Sequence, residues 1–513
     1  MKILIVQPMG SGSPPLGLCL ISAVLKRAGY TDIALVDLMV DNVADQVVSS
    51  VRTEEYLQKK LEENPDIILL TAALPTFHFA MNLSQTLRKH CKVLMFGGPH
   101  ATMFKEVIIK NCPQIDILVV GEADLIIAPI MKQIEENIST GKYDFTGIPN
   151  VVWRKGSEII INQLASPIMD LDQFPVPDRD IIDLGSYHAA FSILTSRGCP
   201  MQCTFCSRPV TGSTFRGRSA ESVVDEMEMM LNKYPEIAER SNRTFAIVDE
   251  NFGVNKQRVI AICDEILKRE LKLRIILPNG LHVTGAQDME VLRKLKAVNC
   301  DLIFFGVESG NDQVLRNIKK GANREMIIKA VKNCHDAGIQ MVGGHFIIGL
   351  PGDTPETVKE TIKFFEEESG LDTANFNHAI PHPGTPFWDY VIEHGKFYCE
   401  YTPVMDYSNF YFENNKSKLF YEKIVFDTPE FTKEQRIKAY DEAVTSLDRK
   451  MRNRILSIKN IKRFTLSIQS FADVIWALKR FYSVTTKHDL RRVYEPRPQK
   501  IKSIMNASST LAA

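Results

Sequence analysis

The sequence predicts an α/β protein in three parts: an N-terminal doubly wound parallel sheet, a partial (β/α)6 barrel of the TIM type, and a helical C-terminal region. Three observations lead there. Short apolar runs alternate with longer helix-patterned segments over residues 1–140 and again over 191–395. A proline-punctuated connector occupies 141–190. Beyond 395 the strand-like runs stop, which leaves 396–513 to helix. A chain of 513 residues also exceeds one ordinary domain.

In the first part the candidate strands are Ile3–Val6, Ile33–Val36, Ile67–Leu70, Val93–Phe96 and Ile117–Val120. Each is short and rich in β-branched residues, the pattern of strands covered on both faces. Helical patterns such as Leu16–Ala28 and Phe77–His90 lie between them. A sheet of this kind takes its ligand beyond the carboxyl ends of the strands, near a topological switch. Those ends carry Gln7-Pro8-Met9-Gly10, Thr71-Ala72, Gly97-Gly98-Pro99-His100 and Gly121-Glu122.

In the connector, Val151 to Ile161 reads as a hairpin turning at Lys155-Gly156, and Leu171 to Asp178 as an extended strap. The barrel strands are expected at Phe191–Thr195, Thr244–Val248, Arg274–Pro278, Leu302–Val307, Met341–Ile348 and Thr373–Ala379. Helices are expected at Ser219–Lys233, Lys256–Arg269, Met289–Val298, Arg324–Ala337 and Thr354–Glu368. Barrel active sites sit at the carboxyl ends of the strands.

Composition narrows the function classes. Apolar residues make up 44% and charged residues 24%, and Lys+Arg equals Asp+Glu at 62 each. That balance supplies no electrostatic reason for a nucleic-acid partner. Met1–Val6 is too short for a signal-peptide core, and no apolar stretch is long enough to span a bilayer, so a cytoplasmic location is expected. One local bias stands out: Asp448–Lys502 holds 15 Lys+Arg against 4 Asp+Glu. Its apolar stretch Phe464–Tyr482 reads either as a solvated helix packed on the barrel or as an amphipathic segment touching a membrane or a lipid-like substrate.

Seven of the ten cysteines, Cys19, Cys91, Cys112, Cys263, Cys300, Cys334 and Cys399, are scattered singly and read as buried small hydrophobes in a reducing compartment. The other three form Cys199-Pro-Met-Gln-Cys203-Thr-Phe205-Cys206, on a loop after the first barrel strand. Three thiolates so placed can hold three irons of a cubane and leave the fourth open. A structural zinc ion would want a fourth nearby cysteine or histidine, which this loop lacks.

Cys-x-x-x-Cys-x-x-Cys with an aromatic residue before the third cysteine resembles the radical S-adenosylmethionine (SAM) superfamily. The resemblance implies a 4Fe–4S cluster on Cys199, Cys203 and Cys206, with the amino and carboxylate groups of SAM on the open iron. One electron then breaks a carbon–sulfur bond, giving methionine and a 5′-deoxyadenosyl radical that takes hydrogen from the substrate. Later motifs agree: Asp249 in Val248-Asp-Glu-Asn-Phe252, Glu308 and Ser309 in Gly306-Val-Glu-Ser-Gly310, and Gly349 in Ile347-Ile-Gly-Leu-Pro-Gly-Asp353. By resemblance these face the cofactor, Gly349 beside its adenine. Phe205 joins them through its place in the cysteine motif.

The first part resembles the cobalamin-binding, flavodoxin-like domain that precedes many such barrels. Pro15 stands where a dinucleotide loop wants its third glycine, which argues against a nicotinamide site. The implied cobalamin contacts are Pro8, Leu16, Gly17, Thr71, Gly97, Gly98, His100, Gly121 and Glu122. The family's Asp-x-His-x-x-Gly lower-ligand motif is absent, and His100, in another context, is expected to hydrogen-bond. A flavodoxin-like domain without cofactor is the alternative.

Together these readings imply a cobalamin-dependent radical SAM methyltransferase acting on an unactivated carbon of a small-molecule or lipid-like substrate, fed electrons by a flavodoxin or ferredoxin. His345, His378 and His382 are candidates for proton handling or substrate contact. Two other classes stay open: a radical cyclase with the same cofactors, and a zinc-stabilised binding protein without catalysis.

Overall fold

The computed structural model describes residues 1–8, 12–38, 54–73, 76–398 and 426–456. The segment Phe464–Tyr482, most of the basic C-terminal tract and Cys399 lie outside the described residues, as do Met9 and Gly10.

The first sheet contains β1 (Ile3–Gln7), β2 (Ile33–Asp37), β3 (Ile67–Thr71), β4 (Val93–Gly97), β5 (Ile117–Val119), β6 (Val151–Lys155) and β7 (Glu158–Ile161). Their spatial order is β2-β1-β3-β4-β5-β6-β7. The first five strands are parallel, and β6 and β7 add an antiparallel edge. The hairpin that the sequence places in the connector is therefore part of this sheet, which runs to Ile161. The pairing of β1 with both β2 and β3 puts the topological switch between β1 and β3. Helices Leu16–Arg27, Phe77–Leu87, Pro99–Asn111 and Ile127–Asn137 are among those that connect the strands. They cover both faces, so β1 and β4 are buried at four of their five positions.

The second sheet begins with β8 (Ser192–Ile193). A short ribbon, β9 (Ser196–Arg197) with β10 (Arg216–Gly217), brackets the cysteine loop. The remaining strands are β11 (Thr244–Ile247), β12 (Arg274–Leu281), β13 (Cys300–Glu308), β14 (Met341–Ile348) and β15 (Thr373–His378). All six main strands are parallel, in the order β15-β14-β13-β12-β11-β8. This is an open (β/α)6 sheet, with β8 and β15 as its unclosed edges. Helices Ala220–Lys233, Lys256–Lys268, Met289–Ala297, Arg324–Asp336 and Pro355–Lys363 cover its outer face. Side-chain caps from Ser219, Asn255, Asp288, Asn323 and Thr354 start all five. The last continues into a π-turn over Phe364–Glu368.

The two sheets differ in burial. Along β12, β13 and β14 buried residues alternate with partly exposed ones, and Ile276, Pro278, Leu302, Phe304, His345 and Ile347 fall on the partly exposed face. That face lines the lumen of the open barrel.

A last ribbon, β16 (Lys396–Phe397) with β17 (Phe426–Asp427), leads to the C-terminal helix Lys433–Leu456. This helix packs along β15, with Tyr440 stacked on His378 at 4.2 Å. It covers an edge that would otherwise offer unpaired backbone groups.

Candidate active site

Asp249 anchors the start of the cysteine loop. It is 1% exposed. One carboxylate oxygen accepts the Thr195 amide at 2.6 Å and the other accepts the hydroxyls of Thr195 and Ser196. Burial pushes its carboxyl above the usual range, and these donors oppose that shift. Asp249 is thus held beneath the loop, where it ties Thr195 and Ser196 together. The chain then turns through Gly198 at φ +79°, where a Cβ would collide with the Thr214 carbonyl. Only glycine lets the loop run this close to the β10 arm.

Beyond Gly198, Cys199 is buried, Cys203 half-buried and Cys206 exposed. The Cys206 amide donates to the Cys203 carbonyl at 3.2 Å, and the Arg208 guanidinium donates to the Cys199 carbonyl. Thr204 ties the loop to the barrel: its amide donates to Ile318 at 3.0 Å, and its carbonyl accepts from Phe387 at 3.1 Å. Burial pushes the Cys203 and Cys206 thiols up, and the positive charges of Arg208 and Lys320 oppose it. Among the described residues no three cysteine, histidine or carboxylate side chains converge as one ion requires. A cubane needs no such point, because each thiolate takes its own iron. Three thiolates on one loop beside two cations fit a cluster better than a zinc ion. Burial also raises the isolated thiols: Cys19, Cys263 and Cys334 sit at about 12 and Cys91 at about 11, so they stay protonated.

Glu308 ends β13 with φ +67°, rare for a non-glycine residue. Its Oε1 lies 2.8 Å from Lys320 Nζ, and both side chains are 8% exposed. This neutral pair stands beside the cysteines. Ser309 is 1% exposed, with its hydroxyl 3.2 Å from that of Thr361 and accepting the Asn311 amide. It holds the loop that follows β13. Phe205 is half-buried next to Cys206, and Gly349 is buried where β14 ends.

At the first sheet's carboxyl edge, Thr71, Ala73, Gly97, Gly98 and Gly121 are each at least partly exposed. These five residues carry no side chain longer than threonine and form a low shelf suited to a large planar group. Pro8 is buried beneath the edge. His100 is completely buried, stacked on Phe77 at 3.8 Å and against Phe104 at 4.7 Å. Its ring packs beneath the shelf, against Phe77 and Phe104. Leu16 and Gly17 line a small cavity shared with Leu171 and Phe174 of the strap and Leu194, Ser196 and Arg197 of the barrel. They stand where the domains meet.

Glu122 is held in an ion-pair junction. Its two oxygens accept from Arg197 at 2.9 Å and Arg216 at 2.6 Å. Arg197 also pairs with Asp124 at 2.7 Å, and Arg216 is wholly buried. Two arginines that flank the cysteine loop thus grip two carboxylates at the end of β5. Just past the loop, Ser207 Oγ lies 3.8 Å from Met103 Sδ on helix Pro99–Asn111. The cysteine loop therefore abuts the glycine shelf. Sequence reading missed Arg197, Arg216 and Asp124. Their signal was weak: Arg197 lies two residues before the first cysteine, while Arg216 and Asp124 sit in no motif.

The chain's relatives match this arrangement. The Radical SAM superfamily matches residues 193–365, and the B12 binding domain matches residues 3–130. The uncharacterized methyltransferase PH0819 of Pyrococcus horikoshii is 28% identical over 434 residues, covering 80% of this chain and 89% of that protein. The anaerobic magnesium-protoporphyrin IX monomethyl ester cyclase of Cereibacter sphaeroides is 27% identical over 434 residues, covering 80% of this chain and 66% of the cyclase. The structure of the radical SAM methyltransferase TsrM from Kitasatospora setae, with cobalamin and a [4Fe-4S] cluster bound, superposes with a TM-score of 0.64 at 17% identity. That superposition covers 89% of this chain and 90% of TsrM. Two matched domains in series, with a cysteine loop and a glycine shelf meeting at their junction, place this chain among the radical SAM enzymes that carry a B12-binding domain.

Proposed function

We propose that the protein transfers a methyl group to an unactivated carbon of a small-molecule substrate. The observation that carries this reading is the junction itself: Arg197 and Arg216 join the cysteine loop to Glu122 and Asp124 beside the shelf. Methyl transfer to a carbon radical needs both cofactors within reach of one substrate, which is a demand on proximity.

Cys199, Cys203 and Cys206 would hold the 4Fe–4S cluster, with SAM against Glu308, Lys320 and Gly349 and cobalamin on the shelf of Thr71, Gly97, Gly98 and Gly121. When bound, these groups supply radical generation and methyl donation. The protein's own residues orient and enclose. Asp249 holds the loop's origin, the Glu308–Lys320 pair sets a neutral polar wall, and the lumen face of β12–β15 receives the substrate. That face holds Ile276, Leu302, Phe304, His345 and Ile347, which suits an uncharged reacting segment. The net change replaces one C–H hydrogen by methyl. One SAM ends as S-adenosylhomocysteine and another as methionine plus 5′-deoxyadenosine. Two electrons come from a donor of the flavodoxin or ferredoxin class.

Burial holds His378 and His382 at about 4, so both are neutral near pH 7. Among the described residues no helix is long and apolar enough to cross a membrane.

The test is anaerobic purification with cobalamin supplied, followed by iron, sulfide and cobalt analysis and product mass. A gain of one methylene supports methylation. A loss of hydrogen without added carbon moves the reading to the cyclase class. Zinc without cluster iron sinks both.

A further inference from the structure

Arg436 lies 87 residues beyond Gly349, on the C-terminal helix and outside both matched domains. It is only 3% exposed, unusual for an arginine. Its Nη1 donates to the Gly349 carbonyl at 3.1 Å and its Nε donates to the Phe431 carbonyl at 2.8 Å. The guanidinium lies over the rings of Phe426 at 4.2 Å and Phe431 at 4.6 Å. The peptide on the other side of Gly349 is held as firmly: Asp353 accepts the Gly349 amide at 2.9 Å and the Leu350 amide at 3.1 Å, and Thr357 donates to its second oxygen. Gly349 has φ +100°, and a Cβ there would collide with the Arg436 guanidinium. The turn at the end of β14 is thus gripped by Asp353 from within the barrel and by Arg436 from outside it.

We propose that Arg436 is a positioning residue for SAM: it fixes the Gly349 turn from the C-terminal helix, making that helix an integral part of the SAM site. The physical argument is one of preorganisation. A buried guanidinium already stacked on two rings has little freedom left, so the carbonyl it binds is held before ligand arrives. Without it, the turn keeps Asp353 but loses its outer support, and SAM must order the turn as it binds. The proposal rests on the reading of the β14 end as the adenine side of a SAM site.

The test uses the full chain, reconstituted with cluster and cobalamin, in wild-type, R436K and R436M forms. SAM affinity is measured by equilibrium dialysis, and SAM contact by the change SAM causes in the EPR spectrum of the reduced cluster. R436M is expected to raise the SAM dissociation constant about tenfold or more, the value of one hydrogen bond to a charged group. Iron and cobalt contents should match wild type, and R436K should recover part of the loss. Unchanged SAM affinity in R436M with its cluster intact overturns the proposal. If R436M does not fold, R436K and Phe426→Leu replace it, and unchanged affinity in both overturns it. A wild-type holoprotein that binds no SAM overturns the functional reading and this proposal with it, a result distinct from unchanged affinity in the variants.

Discussion

The two sheets are built from the same unit and present themselves differently. In the first, β1 and β4 are buried at four of five positions, and Gly97, Gly98 and Gly121 lie partly exposed at the carboxyl edge, which suits a ligand. In the second, β13 and β14 alternate, with one face under helices and the other on an open lumen that ends at Glu308 and Gly349. A closed double-wound sheet can only support a ligand, whereas an open barrel can surround one. The first domain thus contributes backbone and small side chains, and the second contributes thiols, a carboxylate and cations. The arginine–carboxylate junction sets one against the other.

The sharpest way to separate the regions is to remove the cysteines. Cys203→Ala should abolish SAM cleavage and bring bound iron close to zero, while the first domain still binds cobalamin. Cobalt loss in step with iron would mean that the domains are not independent.

The junction comes next. Glu122→Gln leaves Arg216, fully buried, short of its charge partner, and such a loss costs about 3–5 kcal/mol. Denaturant unfolding should show this loss, and abortive 5′-deoxyadenosine formation should outlast methyl transfer. If E122Q keeps both stability and coupling, the junction does not hold the two sites in register.

Asp249→Asn tests the barrel alone. Asparagine has one acceptor oxygen for three donors, so about 2–3 kcal/mol of stability should be lost. Cobalamin affinity should not change.

Acid should act on the barrel before the first sheet. Burial holds His282, His378 and His382 at about 4, below their ordinary 6.5. Their unfolded forms bind more protons between those values, so the stability they contribute is full above about pH 6.5 and is lost as pH falls toward 4. Asp353, which burial pushes up to about 6, works in the opposite direction, adding stability as pH falls through 6. Three histidines outweigh one carboxyl. His382→Gln should flatten the pH slope of the unfolding free energy by up to about 1.4 kcal/mol per pH unit. An unchanged slope would remove this account.

The smallest effect is expected at Gly17, exposed in helix Leu16–Arg27 with nothing within 4 Å of a Cβ. Gly17→Ala should stabilise the protein by about 0.5 kcal/mol through helix propensity. A larger change would show that the interdomain cavity closes on this residue.

Periodicity, cysteine spacing and strand-end glycines made much of the molecule legible in the sequence. Met341–Ile348 is the strand read from its apolar pattern, and the five barrel helices fall within a few residues of their expected spans. These signals are local: burial on a strand, capping, and the spacing of thiols depend on near neighbours along the chain. Tertiary structure alone decided which partners the polar residues take. Asp249, Ser309 and Glu122 look like binding residues in sequence, and the fold gives each of them partners within the protein, while it packs the His100 ring against Phe77 and Phe104. Arg197, Arg216 and Arg436 were not singled out in the sequence and take their partners across the fold. The physical reason is that a polar group's role depends on the partner that satisfies it when buried, and those partners lie 73 to 94 residues away at the junction and 87 at the Gly349 turn. The hairpin at 151–161 was legible as a hairpin, but its membership of the first sheet rested on pairing between β5 and β6, which no local pattern encodes.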